Sequence, residues 1–310
     1  KNLDKLLGGG VPTSAIIEIN GEYRSGKTQT CLTCAVTAQL SEKLGGLDRP
    51  VIYIDTENSF HAEHIQTIGK RFNLDSKELL DNLFVVQAEQ LRYLNQAIDR
   101  LPGYVQALDP GLIIIDSLMA PFRTEFHELN LLAVRQKKIG KLIGLLKRIA
   151  IAFNTTVIFT NQVMANIGFG SQYKPVIATG GHVVAHASDI RIFMKKLKGN
   201  QRRAQIDDCA WLPSAKTKFY ITNSGIADAE EPEDFPNDIS SKKTDEGKKA
   251  ANKEKTSAVK EGLKEATKHA NKKTASTKEK KEETKKMKSK STKKVTKKEE
   301  PQEKKSTATA

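Results

Sequence analysis

The sequence predicts an α/β fold, with a mainly parallel central sheet flanked by helices and an antiparallel edge towards its C-terminal end. Three observations predict it. Four short apolar runs, 15–20, 51–55, 112–117 and 156–160, lead into polar residues or glycine. That pattern suits parallel strands buried on both faces, whose carboxyl ends share one mouth. Residues 133–153 carry Ile139, Leu142, Ile143, Leu146, Ile149 and Ala150 at helical spacing, which marks a long helix with a core-facing stripe. Finally, 190–195, 203–206 and 216–222 read as strands joined by short turns at 198–200 and 211–214, which extend the sheet in antiparallel fashion.

The first strand runs into Gly21-Glu22-Tyr23-Arg24-Ser25-Gly26-Lys27-Thr28, a complete G-x-x-x-x-G-K-T phosphate-binding loop. Residues 28–44 then lack Pro and Gly and are predicted to form a helix. Strand, glycine turn and helix start together make an anion site, because free backbone N–H groups and the helix dipole converge on phosphate. Lys27 is expected to reach the β- and γ-phosphates of a nucleoside triphosphate, and the Thr28 hydroxyl to ligate Mg²⁺. A chance match in a glycine-rich turn is the bland alternative. The flanking strand and helix, and an acidic strand downstream, argue against it.

That acidic strand is Leu112-Ile113-Ile114-Ile115-Asp116, which sets Asp116 opposite Thr28 as a second Mg²⁺ ligand, directly or through water. The strand Val51-Ile52-Tyr53-Ile54-Asp55 leads into Thr56-Glu57, and a carboxylate there could orient or deprotonate the attacking water. The strand 156–160 leads into Asn161-Gln162, whose amide could gain and lose a γ-phosphate hydrogen bond. A lone polar residue at a strand end is more often a turn former. Three of them following one phosphate loop favour function, with Glu57, Lys27 and Gln162 as catalytic candidates.

At these residues the chain resembles the RecA-type strand-exchange recombinases, in their archaeal RadA branch. The likeness is carried by Leu3 to Gly10, the phosphate loop through Gln29, Tyr53 to Glu57, Ile115-Asp116-Ser117, Phe122 to Glu125, Arg135-Gln136, Thr160 to Ala165 and Gly180 to Ser188. It implies a RecA-like P-loop ATPase with ATP and Mg²⁺ as cofactors, acting in DNA recombination and repair. It also implies single- and double-stranded DNA as partners, a homo-oligomeric filament with ATP at subunit interfaces, and room for recombination mediators. By resemblance Glu57 is the catalytic glutamate and Gln162 the γ-phosphate sensor. His186 would read the γ-phosphate across an interface, and Asp208 and Pro213 would cap the neighbouring subunit's nucleotide. Arg123 and Arg135 would flank the first DNA loop, and Ile167 would wedge between base triplets. Phe169 and Lys174 lie in the same glycine-rich stretch, 166–175, which reads as a mobile DNA-contacting loop.

Departures from the family pattern are also visible. The first loop usually carries Gly-Arg-Gly, where this chain has Glu128-Leu129-Asn130. His61 and His64 replace two arginines, the second of which can stack on adenine, so His64 is the candidate at the base. Ala210 stands where a proline is usual. The chain opens at Lys1, already at the family's entry into the ATPase core, which reads as a fragment boundary.

Charge divides the chain into three. Residues 241–310 hold 24 Lys and no Arg against 11 Asp and Glu, a balance of +13 within a formal total of +14. With no aromatic residue beyond Phe235, this stretch is expected to be a disordered Lys-rich tail. The expected organisation is a core at 1–228, an acidic, proline-containing linker at 229–240, and the tail at 241–310. The tail reads equally as a solubilising extension or as a grip on DNA phosphate, and attachment to a DNA-handling core favours DNA. Three cysteines suit a reduced, intracellular, DNA-associated setting. Cys31 and Cys34 lie one helical turn apart with no second pair at zinc-ligand spacing, which favours helix packing. No apolar run is long enough to span a membrane. The leading expectation is a DNA-dependent ATPase that forms filaments and exchanges strands. The rivals are a mediator paralogue without strand exchange, which the altered first loop favours, and an ATP-switched DNA-coating protein.

Overall fold

The computed structural model describes residues 1–126, 131–165 and 176–230. After a short helix α1 (Asn2–Leu6), the strand β1 (Ile16–Gly21) leads through the phosphate loop into α2 (Lys27–Thr37). Then follow β2 (Val51–Asp55), α3 (Ala62–Arg71), α4 (Ser76–Asp81), β3 (Leu83–Gln87), α5 (Leu91–Leu108) and β4 (Leu112–Asp116). α6 (Ala120–Glu125), α7 (Leu132–Ala152), β5 (Thr156–Ala165), β6 (Val176–Ala178) and α8 (Gly181–Ala187) come next. Among the described residues β7 (Ile190–Lys196), β8 (Gln201–Cys209), β9 (Lys216–Thr222) and β10 (Gly225–Ala227) follow.

Among the described residues these strands form one sheet, ordered β10-β9-β8-β7-β1-β5-β4-β2-β3, with β6 paired to β5. β7, β1, β5, β4, β2 and β3 run parallel, while β8, β9 and β10 continue antiparallel. The expected fold class is therefore the observed one. β1, β2 and β4 are buried at every position, as strands covered by helices on both faces must be. Alternation sends Ile17 and Ile19 towards α2, where they join Leu32, Val36, Tyr53, Ile114 and Ile158 in one cluster. The predicted stripe of α7, from Ile139 to Ala150, is buried as expected. Each such aliphatic side chain contributes about 1.5–3 kcal/mol on burial.

Three local assignments change. The helix after the phosphate loop ends at Thr37, not at 44. Beyond it the chain doubles back, so the carbonyls of Ala38 and Leu40 accept from Leu47 and Asp48 and cannot continue a helical ladder. β5 runs on past 160 to Ala165, because β6 supplies new partners where β4 has ended. β3, with its run Leu83-Phe84-Val85-Val86, is a further strand beyond the four expected parallel ones.

Cys31 lies in the core cluster and Cys34 packs against it, both free. Burial, and then the Asp4 carboxylate, push the Cys34 thiol up to about 12. Both act in packing. No helix among the described residues is long and apolar enough to cross a membrane.

Candidate nucleotide site

Strand register gathers the candidate residues at one mouth. β2 and β4 set Asp55 beside Asp116, and β1 and β5 set Gly21 beside Gln162. Their shared direction leaves the carboxyl ends on one side, where open α/β sheets bind ligands.

The phosphate loop crosses that mouth. A Cβ on Gly21 would stand 2.3 Å from the Met194 carbonyl oxygen, so only glycine lets β1 approach β7 there. Gly26, at φ +100°, makes the left-handed turn that starts α2. The Lys27 ammonium donates to the carbonyls of Gly21 (3.0 Å) and Glu22 (2.9 Å) and so lies back across the loop. Burial lowers its pKa, against the raising pull of Asp116 and Glu57. Ser25 carries a buried hydroxyl with no hydrogen-bond partner among the described residues. Arg202 braces the outer wall, its Nε donating to the Arg24 carbonyl at 3.1 Å.

Asp116 is buried and receives the Tyr53 hydroxyl at 3.0 Å, the Thr160 hydroxyl and the Thr28 hydroxyl. Burial raises its pKa, and those three hydrogen bonds oppose the rise. A carboxylate touching the Thr28 hydroxyl is a hard oxygen pair of the kind that holds Mg²⁺ through one or two protein ligands.

Glu57 follows β2 on a turn shaped by Asp55, whose carboxylate accepts from the Glu57 and Phe60 amides at 3.1 and 2.9 Å. Thr56 locks that turn to the end of β4. Its hydroxyl donates to the Ser117 carbonyl (2.7 Å) and accepts from the Ser117 amide (2.8 Å). The Glu57 carboxylate then accepts from the Ser117 hydroxyl at 2.8 Å and from Gln162 Nε2 at 3.3 Å. Gln162 in turn accepts at Oε1 from Arg123 Nη1, 2.6 Å away.

Beside the start of α2 lies an open cavity of about 600 Å³, lined by Thr28, Gln29, Leu32, Ser59, His61, Glu63, His64 and Thr67. His64 Nε2 and Gln29 Oε1 are 2.8 Å apart on its wall. The fold thus brings together Lys27, Thr28, Gln29, His64, Asp116, Glu57, Gln162 and Arg123. It leaves others elsewhere. Arg135 donates to the Phe126 carbonyl at 3.5 Å, and His186 is exposed on α8, stacked on His182 at 5.8 Å. Asp208 and Pro213 are exposed at and beyond the end of β8. Among the described residues these four make no hydrogen bond to the mouth. Ile167, Phe169 and Lys174 lie outside the described residues.

Tyr53, Thr160 and Ser117, which hold the two acidic residues, are not among the candidates that the sequence offers. A signal was present: each lies within two residues of a strand end that already carries a candidate.

A family model described as Rad51 matches residues 1–229. The chain belongs to the Rad51 family. It is 39% identical over 232 residues to the DNA repair and recombination protein RadA of Aeropyrum pernix, a match covering 74% of this chain and 72% of that protein. To the protein of the same description from Ignicoccus hospitalis it is 39% identical over 238 residues, with the same 74% and 72% covered. The expected placement in the RadA branch of the RecA-type recombinases is thereby borne out, and Rad51-family membership implies that the chain binds nucleotide.

Proposed function

We propose that this Rad51-family chain is an ATP-dependent DNA recombinase. It assembles on single-stranded DNA as a filament and promotes homologous pairing and strand exchange in recombinational repair, hydrolysing ATP in a DNA-dependent way. The observation that carries the reading is the convergence of Lys27, Asp116, Glu57 and Gln162 on one strand-end mouth, with Arg123 reaching it from the side of the first loop.

The residues present fit a nucleoside triphosphate with Mg²⁺. The glycine-walled loop and the start of α2 present amides to phosphate, and the buried Ser25 hydroxyl is unspent. Lys27 leaves two neutral carbonyls for charged phosphate oxygens, which make stronger hydrogen bonds. Thr28 and Asp116 would hold Mg²⁺, which neutralises charge on the β- and γ-phosphates when bound. Glu57, oriented by Ser117, takes the proton of the attacking water. Gln162 lends its amide N–H to the γ-phosphate and carries the state of that bond into β5, towards 166–175. The cavity beside Gln29 and His64 receives the base and ribose. His186, Asp208 and Pro213, exposed as they are, serve an adjoining copy's nucleotide in the filament. Arg135, Ile167, Phe169 and Lys174 contact DNA beside Arg123, and the tail at 241–310, joined by 229–240, adds sequence-blind affinity.

A strand-exchange assay with the full chain tests the reading. Labelled single-stranded DNA should displace its identical strand from a homologous duplex only with ATP and Mg²⁺. ATP turnover stimulated by DNA without any exchange would instead favour the mediator reading.

A further inference from the structure

The backbone of Gln162 is fixed twice over: its carbonyl accepts the Thr179 amide at 3.0 Å and the Thr179 hydroxyl at 2.8 Å. What remains free is the amide at the end of the side chain, which could turn either its oxygen or its nitrogen towards the mouth. A guanidinium has donors and no acceptor, so only the oxygen end can face Arg123. That contact is a charged one at 2.6 Å, and charge-assisted hydrogen bonds are roughly twice as strong as neutral ones. With Oε1 held there, Nε2 must point the other way, and it does, 3.3 Å from the Glu57 carboxylate.

Arg123 is itself well anchored. It lies half-buried on α6, between Phe122 and the adjacent turn carrying Phe126, both buried and stacked with ring centres 6.4 Å apart. Its amide is bonded to the Met119 carbonyl at 3.1 Å. α6 comes directly before 127–130, the segment that resemblance assigns to DNA. Arg123 thus precedes that segment in the chain while its side chain reaches Gln162, within electrostatic reach of Lys27.

We propose that Arg123 is a positioning residue for ATP hydrolysis: by holding the oxygen end of the Gln162 amide, it fixes the N–H end towards Glu57 and the γ-phosphate. This rests on the assignment of Gln162 to the hydrolytic site. It goes beyond a DNA contact, because it predicts an effect of Arg123 on turnover when no DNA is present.

The experiment is a double-mutant cycle on the full chain, measuring kcat and KM for ATP without DNA in the parent, Arg123→Ala, Gln162→Ala and the double variant. Each single variant should lower kcat by about tenfold, equivalent to about 1.4 kcal/mol of barrier, with little change in KM. The double variant should match Gln162→Ala alone. Arg123→Lys, which keeps a charged donor and no acceptor, should retain more turnover than Arg123→Ala, and this separates lost orientation from a damaged fold. A parent-like kcat for Arg123→Ala, or two losses that simply multiply, overturns the proposal while leaving Gln162 in place. Parent-like turnover by Gln162→Ala overturns both the proposal and the assignment beneath it.

Discussion

The Ser117 hydroxyl donates to the Glu57 carboxylate at 2.8 Å, joining the residue that follows β4 to the turn that follows β2. The bond holds a flexible carboxylate in one direction, towards the side of the mouth where Gln162 approaches.

Chemistry and binding should separate at this pair and at Lys27. Glu57→Gln keeps an oxygen for the Ser117 hydroxyl but cannot take a proton, so ATP should still bind while turnover falls by about 10² or more. Lys27→Ala should abolish stable nucleotide binding, because charge pairing to the phosphates is removed. Equilibrium binding of a fluorescent ATP analogue, set beside phosphate release, checks both. Parent-like turnover by Glu57→Gln would remove it as the base.

A buried ion pair on the other face of β1 should matter for stability. Glu18 is fully buried and accepts from Arg191 Nε at 2.6 Å and from Asn161 Nδ2 at 2.7 Å. Burial works against the Arg191 charge, yet Glu18 and then Asp207 and Asp208 outweigh it and raise its pKa. Arg191→Met strands the Glu18 charge and should cost about 3–5 kcal/mol. Adding Glu18→Leu should recover part of that loss in urea unfolding, since no buried charge is then left alone.

Acid should weaken the fold partly through His64. Burial, and then the neighbouring His61, hold its pKa below the usual value, so the folded chain resists its protonation. The unfolded chain binds that proton from about pH 6.5 downwards. Stability from this group is therefore present above that pH and is lost as pH falls through the lower folded pKa. His64→Gln should flatten the fall in melting temperature between about pH 7.5 and about pH 5.5.

The tail should set the salt dependence of DNA binding. It carries +13 of the formal +14, so deleting 241–310 should weaken binding alike for all DNA sequences. Fewer counterions are then released, and the plot of log K against log salt should flatten. An unchanged slope would make the tail a spacer.

The first loop should accept a restored cation. Leu129 stands where the family usually offers arginine, so Leu129→Arg should tighten single-stranded DNA binding in a fluorescence-anisotropy titration. Unchanged or weaker affinity would give this loop another partner.

By itself the sequence determined the sheet's direction and pointed to a candidate anion site. Val51 to Asp55 and Leu112 to Asp116 are too uniformly apolar to be anything but covered strands, and the spacing of Gly21, Gly26, Lys27 and Thr28 has one phosphate geometry. Such signals are local, written in neighbouring residues. Tertiary structure alone decided which strands adjoin. Register set Asp55 beside Asp116 and Gly21 beside Gln162, and so gave Ser117, Tyr53 and Thr160 their partners. It also ended α2 at Thr37, where carbonyls found acceptable donors further along the chain. Arg123 shows the difference most clearly. In the sequence it is a basic residue beside a loop, 39 positions from Gln162, and only the folded chain brings its guanidinium to that amide. Contacts between residues far apart in the chain depend on how the hydrophobic faces stack, and no single segment carries that information.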